Sequence, residues 1–149
     1  MTGVFVYGTL KRGQCRESLW PRPPLAVETA YIRGRLFALA EYPALWCGDS
    51  DSCLDESVDS ADDWIAGELW KFASGDLEET VARLDQIEET NQPGIENLYD
   101  RIVVRAYRQP RPSASQLAFA YQFSRRSSLL DDNRMQLVPD RAAVEWPPG

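Results

Sequence analysis

The 149-residue sequence contains no histidine, and that absence narrows the chemistry open to it. Ser-His-Asp and Cys-His catalysis and His-ligated zinc are excluded, and the side chain most often used for proton transfer near neutral pH is missing. Acid–base work then falls to a carboxylate, a lysine, a tyrosine or a cysteine. Among the carboxylates, Glu88 stands out by its position. Leu77, Val81 and Leu84 recur at helical spacing, and at 100° per residue Glu88 falls about 20° from Leu77, in the middle of the apolar stripe. Desolvation on that face, the negative end of the helix dipole and the like charge of Asp85 would each raise its proton affinity. A carboxylate so placed suits accepting and returning a proton. The alternative is a helix that ends at Ile87 and leaves Glu88 in solvent.

A second stretch could bind a ligand. Val4-Phe5-Val6-Tyr7-Gly8-Thr9-Leu10-Lys11-Arg12-Gly13-Gln14 starts as a short apolar strand and breaks into a loop bracketed by Gly8 and Gly13. Glycine tolerates positive φ and close backbone approach, so backbone N–H groups with Lys11 and Arg12 nearby would suit a carboxylate or a phosphate. A plain strand-to-loop turn with solvated charges fits the same residues. The spacing is not that of a P-loop, because no Ser or Thr follows the lysine.

The elements that must position these groups read as several strands and one good helix. Thr29 to Leu39, Tyr42 to Trp46, Trp64 to Phe72, Tyr99 to Arg108 and Leu117 to Phe123 carry the branched and aromatic residues of strands, with Gly34 a bulge or close-approach point. In the fourth of these, Ile102, Val104 and Ala106 take one face and Arg101 and Arg105 the other. In the last, Leu117, Phe119, Tyr121 and Phe123 alternate with Gln116, Ala118, Ala120 and Gln122, which predicts a half-buried strand. Asp76 is the expected helix cap, with Glu79 closing a capping box and Glu78, Glu79 and Glu89 pointing to solvent. Without regular βα alternation the expected class is α+β, a small mixed β-barrel with flanking helices. One domain spans residues 1–149, with an acidic loop at about 48–63 and an irregular tail at about 124–149 pinned by Val144 and Trp146.

Composition removes other classes. A formal net charge of −7, with the basic residues scattered, argues against a nucleic-acid partner. No apolar run reaches the roughly 18 residues needed to span a bilayer, so no membrane partner and a cytoplasmic location are the expectation. Asp49, Asp51, Asp55, Glu56, Asp59, Asp62 and Asp63 lack the central glycine and ligand spacing of an EF-hand and read as a solvated loop. Cys15, Cys47 and Cys53 form no metal pattern. Cys47 and Cys53 are close enough in sequence to pair, but reduced thiols are the expectation, and no histidine partners Cys15 or Cys47 for nucleophilic catalysis. Glu68 is a further carboxylate of interest, with a rim charge as the plainer reading.

Three segments carry a resemblance to a known family. The stretch from Val4 to Gln14, the strand Gly67-Glu68-Leu69-Trp70, and Leu84-Asp85-Gln86-Ile87-Glu88 followed by Tyr99-Asp100-Arg101 resemble, in order, motifs of γ-glutamylcyclotransferase-like proteins of the γ-glutamylamine cyclotransferase type. The resemblance implies that family's barrel fold and a cleavage of γ-glutamyl amides in which the substrate's own α-amine closes 5-oxoproline and expels an amine. It implies Glu88 as the catalytic acid/base, the backbone of Tyr7, Gly8, Thr9 and Leu10 as the seat of the glutamyl part, and Tyr99 and Arg101 as lining residues. It implies a small-molecule γ-glutamyl substrate and no metal or cofactor, and leaves the oligomeric state and the leaving amine open. An insertion-like segment, Glu89 to Asn97, separates the last two motifs and bears on the rim of the pocket. A non-catalytic binding or interaction module on the same fold is the alternative.

Overall fold

The computed structural model describes residues 3–39, 42–47 and 62–147. Among them six strands follow in order: β1 (Gly3–Val6), β2 (Ala26–Leu39), β3 (Tyr42–Trp46), β4 (Asp63–Lys71), β5 (Tyr99–Tyr107) and β6 (Ser115–Phe123), with the helix α1 (Ser74–Ile87) between β4 and β5. The sheet runs β3-β2-β4-β1-β6-β5, and a bridge from Tyr31 to Tyr107 joins β5 back to β2. Five strands therefore close a barrel, and β3 extends from one half of β2. The barrel is mixed because β1 pairs parallel with β6 while the ladders to β4, β3 and β5 are antiparallel.

β2 reaches both partners because it is long: Ala26 to Gly34 pair with β4 and Arg35 to Leu39 with β3. Gly34 sits at the changeover, where a Cβ would lie 3.2 Å from Cys47 Sγ and 3.3 Å from Leu45 Cδ1. The expected close approach is there.

Alternation along each strand feeds two apolar layers. Phe5, Ile32, Leu36, Ile65 and Val104 fill the barrel together with Ala118 and Ala120, while Val4, Val6, Trp70, Tyr121 and Phe123 lie outside it, under Leu77, Val81 and Leu84 of α1. From Ala120 to Phe123 β6 is buried on both faces, while Leu117 is exposed and Phe119 half-buried; Ala118 and Ala120 are fully enclosed. A five-stranded barrel is narrow, so the alanine face turns inward and the bulky face packs beneath the helix.

α1 starts two residues before the expected cap. Its N-cap is Ala73, which makes no side-chain capping bond, and Asp76 lies inside the first turn. Phe72 before the cap and Leu77 in the second turn share one apolar cluster, a hydrophobic staple that fixes the entry of the chain where a capping side chain is lacking. Among the described residues no helix is long and apolar enough to cross a membrane.

The tail is irregular and pinned. Val144 donates its N–H to Trp64 O and accepts from the Ala66 N–H, both at 2.8 Å, and the Met135 N–H donates to Leu36 O at 2.8 Å. Of the acidic stretch, Asp49 to Asp59 lie outside the described residues; Asp62 and Asp63 pair with Arg35 and Arg134. Cys47 is disulfide-bonded, against the expectation of reduced thiols, and Cys15 is an exposed free cysteine.

Candidate active site

The glycine loop leaves β1 at Val6 and folds back on itself through three backbone bonds. The Lys11 N–H donates to Gly8 O (3.1 Å), the Gln14 N–H to Lys11 O (3.0 Å) and the Arg16 N–H to Thr9 O (2.9 Å). Gly13 takes φ +81°, a conformation that favours glycine. Gly8 is required for a different reason: a Cβ there would stand 2.7 Å from Pro43 Cγ, so only a bare backbone passes β3 at this point. Glu68 turns out to fasten the loop to β4, accepting the Arg12 N–H at 2.8 Å and the Trp70 Nε1–H at 3.2 Å. Among the described residues, the N–H groups of Gly8, Thr9 and Leu10 donate to no protein acceptor. Three donors without a protein acceptor among the described residues, on one short loop, are the kind of arrangement that can receive an anion.

Glu88 lies across the same cleft. The helix does end at Ile87, yet Glu88 is only 8% exposed, so neither alternative posed by the periodicity holds whole. As the C-cap, at φ −89° and ψ 4°, it still donates its N–H to Leu84 O at 2.8 Å and keeps its place on the apolar stripe. The chain then reverses at Glu89, with φ +52°, while the Glu89 N–H reaches Gln86 O (3.3 Å) and the Thr90 N–H reaches Asp85 O (2.8 Å). This is a Schellman closure with a glutamate where glycine is usual.

Burial pushes the Glu88 carboxyl above the ordinary range, the Arg16 guanidinium pulls it back in part, and Glu89 adds a smaller push upward. The like-charge contribution expected of Asp85 is not the one the structure supplies. Asp85 instead pairs with Arg101 Nη1 at 2.8 Å and accepts the Tyr121 hydroxyl at 2.6 Å.

The cleft between these walls takes in Tyr7, Gly8, Thr9, Leu10, Glu88 and Tyr99. The Tyr7 hydroxyl donates to Tyr121 O at 2.6 Å and the Tyr99 hydroxyl to Pro43 O at 3.0 Å. Burial, with added negative charge from Glu88, drives both phenols above their ordinary range, so they stand as neutral walls with their protons committed. Among the described lining residues Glu88 is the one carboxylate.

Arg101 is not brought to the cleft. It shares a strand face with Tyr99 but lies two residues further along β5, about 7 Å away by strand rise, where it pairs with Asp85 and lies over the Phe119 ring at 5.1 Å. It borders an outer groove beside α1 instead. Residues 89–97 do not line the cleft either; they tie back to β5 through the Thr90 hydroxyl to Tyr99 O (2.6 Å) and Asn97 Nδ2 to Asp100 Oδ1 (2.8 Å).

Sequence reasoning missed six lining residues: Phe5, Val6, Arg16, Tyr42, Pro43 and Tyr121. The alternation of β6 placed Tyr121 on the aromatic face without saying that this face meets the glycine loop. Arg16 carried no signal, because it reaches Glu88 only after the loop folds back. Among the described residues no three Cys, Asp or Glu side chains converge as a metal site.

The family model described as "Gamma-glutamyl cyclotransferase, AIG2-like" matches residues 4–140. The chain belongs to this family. It is 33% identical over 104 residues to the Gamma-L-glutamyl-butirosin B gamma-glutamyl cyclotransferase of Niallia circulans, a match covering 68% of this chain and 56% of that one. The chain thus spans about half the length of this curated relative. Among solved structures, an AIG2-like protein from Mus musculus superposes with a TM-score of 0.52 at 19% identity, covering 97% of this chain and 88% of that one. YkqA from Bacillus subtilis gives 0.52 at 21% identity, covering 83% of this chain and 36% of that one. These likenesses bear on the fold, and the closed mixed barrel with one helix is shared.

Proposed function

We propose that this member of the family cleaves a γ-glutamyl amide by intramolecular cyclisation, releasing 5-oxoproline and a free amine, with Glu88 as general acid/base. The observation that carries the reading is the pairing, in one cleft, of a buried carboxylate with three backbone donors at Gly8, Thr9 and Leu10 that have no protein acceptor among the described residues. The donors suit the α-carboxylate of the glutamyl part. With that end held, the substrate folds so that its α-amine faces its own γ-carbonyl carbon.

The nucleophile is tethered, so positioning supplies much of the rate. Glu88 takes a proton from the α-ammonium, freeing the nitrogen lone pair. The nitrogen bonds to the γ-carbonyl carbon and closes the five-membered ring as a tetrahedral intermediate. Glu88 then hands its proton to the leaving nitrogen and accepts the second proton of the now cationic ring nitrogen; the oxyanion collapses to the lactam carbonyl, the old C–N bond breaks, and the amine departs. No water is consumed. A carboxyl raised above its ordinary range by burial binds a proton more readily at each acceptance than a free surface glutamate would.

The test is a panel of γ-glutamyl amines and amino acids, with products read by mass spectrometry. Cyclisation yields 5-oxoproline, hydrolysis yields glutamate. Substrates that bind without forming either product would replace this reading with a non-catalytic binding module.

A further inference from the structure

β4 has two edges, and one of them changes partner part-way along. β2 takes the first edge over the whole strand, from Asp63 to Lys71. β1 takes the second only from Glu68 to Lys71, because the chain leaves at Val6 to form the glycine loop. The tail fills the vacated stretch. Val144 lies parallel beside Ile65, donates its N–H to Trp64 O and accepts from the Ala66 N–H. Val144 is buried and Trp146 packs against the barrel core, so the tail is seated firmly where the loop departs.

Glu145, the next residue, reaches the loop. Its Oε1 lies 3.8 Å from Nζ of Lys11, a lysine only 7% exposed that does not line the cleft. Among the described residues this is the one ion pair of Lys11. Losing Glu145 would strand a buried ammonium, and the cheapest relief is for Lys11 to turn out to water. The loop would move with it, because the Lys11 backbone holds the loop on both sides. Its N–H donates to Gly8 O at 3.1 Å and its O accepts the Gln14 N–H at 3.0 Å. In a planar trans peptide the C=O and N–H point opposite ways. With Gly8 O turned towards Lys11, the Thr9 N–H of the same peptide is turned away from it. Lys11 therefore sets the direction of one of the three loop donors.

We infer that Lys11 and Glu145 are positioning residues, and that the tail acts through this pair to aim the glycine-loop donors. The inference rests on the assignment of those donors to the glutamyl part under the cyclisation reading. Neither side chain touches the substrate. A displaced seat weakens the hold on substrate and transition state alike, so the effect falls on KM and not on kcat.

The test compares wild type, Glu145→Gln, Lys11→Met, the double variant and Arg141→Gln. Arg141 is the other cation near Glu145, at 3.9 Å, and is exposed, so Arg141→Gln should turn over as wild type does. On a γ-glutamyl substrate that wild type cyclises, Glu145→Gln should raise KM for 5-oxoproline formation about 10-fold and leave kcat within about twofold, a size typical of coupled neighbours. In the Lys11→Met background Glu145→Gln should change nothing further, since methionine strands no charge. An unchanged KM in Glu145→Gln, a loss confined to kcat, or a double variant whose losses multiply would overturn the inference. Amide hydrogen exchange reads the loop without substrate. The Lys11 and Arg16 N–H groups should exchange about 10-fold faster in Glu145→Gln while Val81 and Leu84 of α1 keep their wild-type rates. If no γ-glutamyl compound is turned over, the cyclisation reading fails, and exchange still decides on the pair: faster exchange at Lys11 and Arg16 alone sustains it, and unchanged exchange refutes it.

Discussion

The Glu88→Gln substitution keeps the shape of the side chain and removes its charge, so its effect on stability measures what that charge costs the fold. Taking a carboxylate out of water costs several kcal/mol, even after relaxation. Against this stands Arg16 Nη1 at 3.7 Å, an attraction of about 4 kcal/mol at an effective dielectric constant of about 20. The guanidinium is about one-third open to water, which screens the pair further. Desolvation leads, and the carboxyl sits above its ordinary range. The charged form is therefore a net burden at neutral pH. Glu88→Gln should gain about 1 kcal/mol there, or about 2–4 °C in Tm for a chain of this size.

The sign of the pH dependence follows from linkage. The folded state binds the Glu88 proton more tightly than the unfolded state, whose glutamates titrate at about pH 4. Stability from protonated Glu88 is complete below that pH and is lost as pH rises through the raised folded value. Thermal melts of both proteins should then coincide in acid and diverge in favour of the variant towards neutral pH. A variant less stable than wild type by the same margin at both ends would refute the reasoning, because the charge would then not be the burden.

Three further outcomes are expected. Arg16→Gln removes the cation that holds the Glu88 carboxyl down, so the acidic limb of kcat/KM should move to higher pH; a limb that stays in place or falls contradicts the pairing. Glu89→Gly relieves a non-glycine residue at φ +52°, which should raise stability by about 1 kcal/mol in chemical denaturation. It also removes a like charge, so the acidic limb should drop slightly. Gly8→Ala drives a Cβ to 2.7 Å from the Pro43 ring, and because β3 is pinned in the sheet the loop must yield. A displacement of the loop by about 1 Å should lower kcat/KM on the order of 100-fold, and steady-state kinetics beside a folding check reads it.

What the sequence made legible is what local periodicity controls. The stripe through Leu77, Val81 and Leu84 put Glu88 on the buried side even though the helix stops one residue short, because a C-cap inherits the phase of the last turn. Strand alternation separated Val104 and Ala106 from Arg101 and Arg105. The family motifs marked the loop and the helix end that the fold brings together at one cleft. Long-range geometry was not legible. Tyr99 and Arg101 share a motif and a strand face, but Asp85, one turn before Glu88, captures Arg101 before it reaches the cleft. The burial of the second half of β6 on both faces depends on the barrel closing with five strands. Arg16 needs the loop to fold back through its bond to Thr9, an event no local pattern announces.

The most direct test of the account compares 5-oxoproline formation by wild type, Glu88→Gln and Glu89→Gln on a γ-glutamyl substrate that wild type cyclises. Glu88 faces the cleft and Glu89, its neighbour, is exposed. The account predicts that Glu88→Gln binds the substrate and forms no 5-oxoproline, while Glu89→Gln turns over nearly as wild type does. Undiminished 5-oxoproline from folded Glu88→Gln would contradict it.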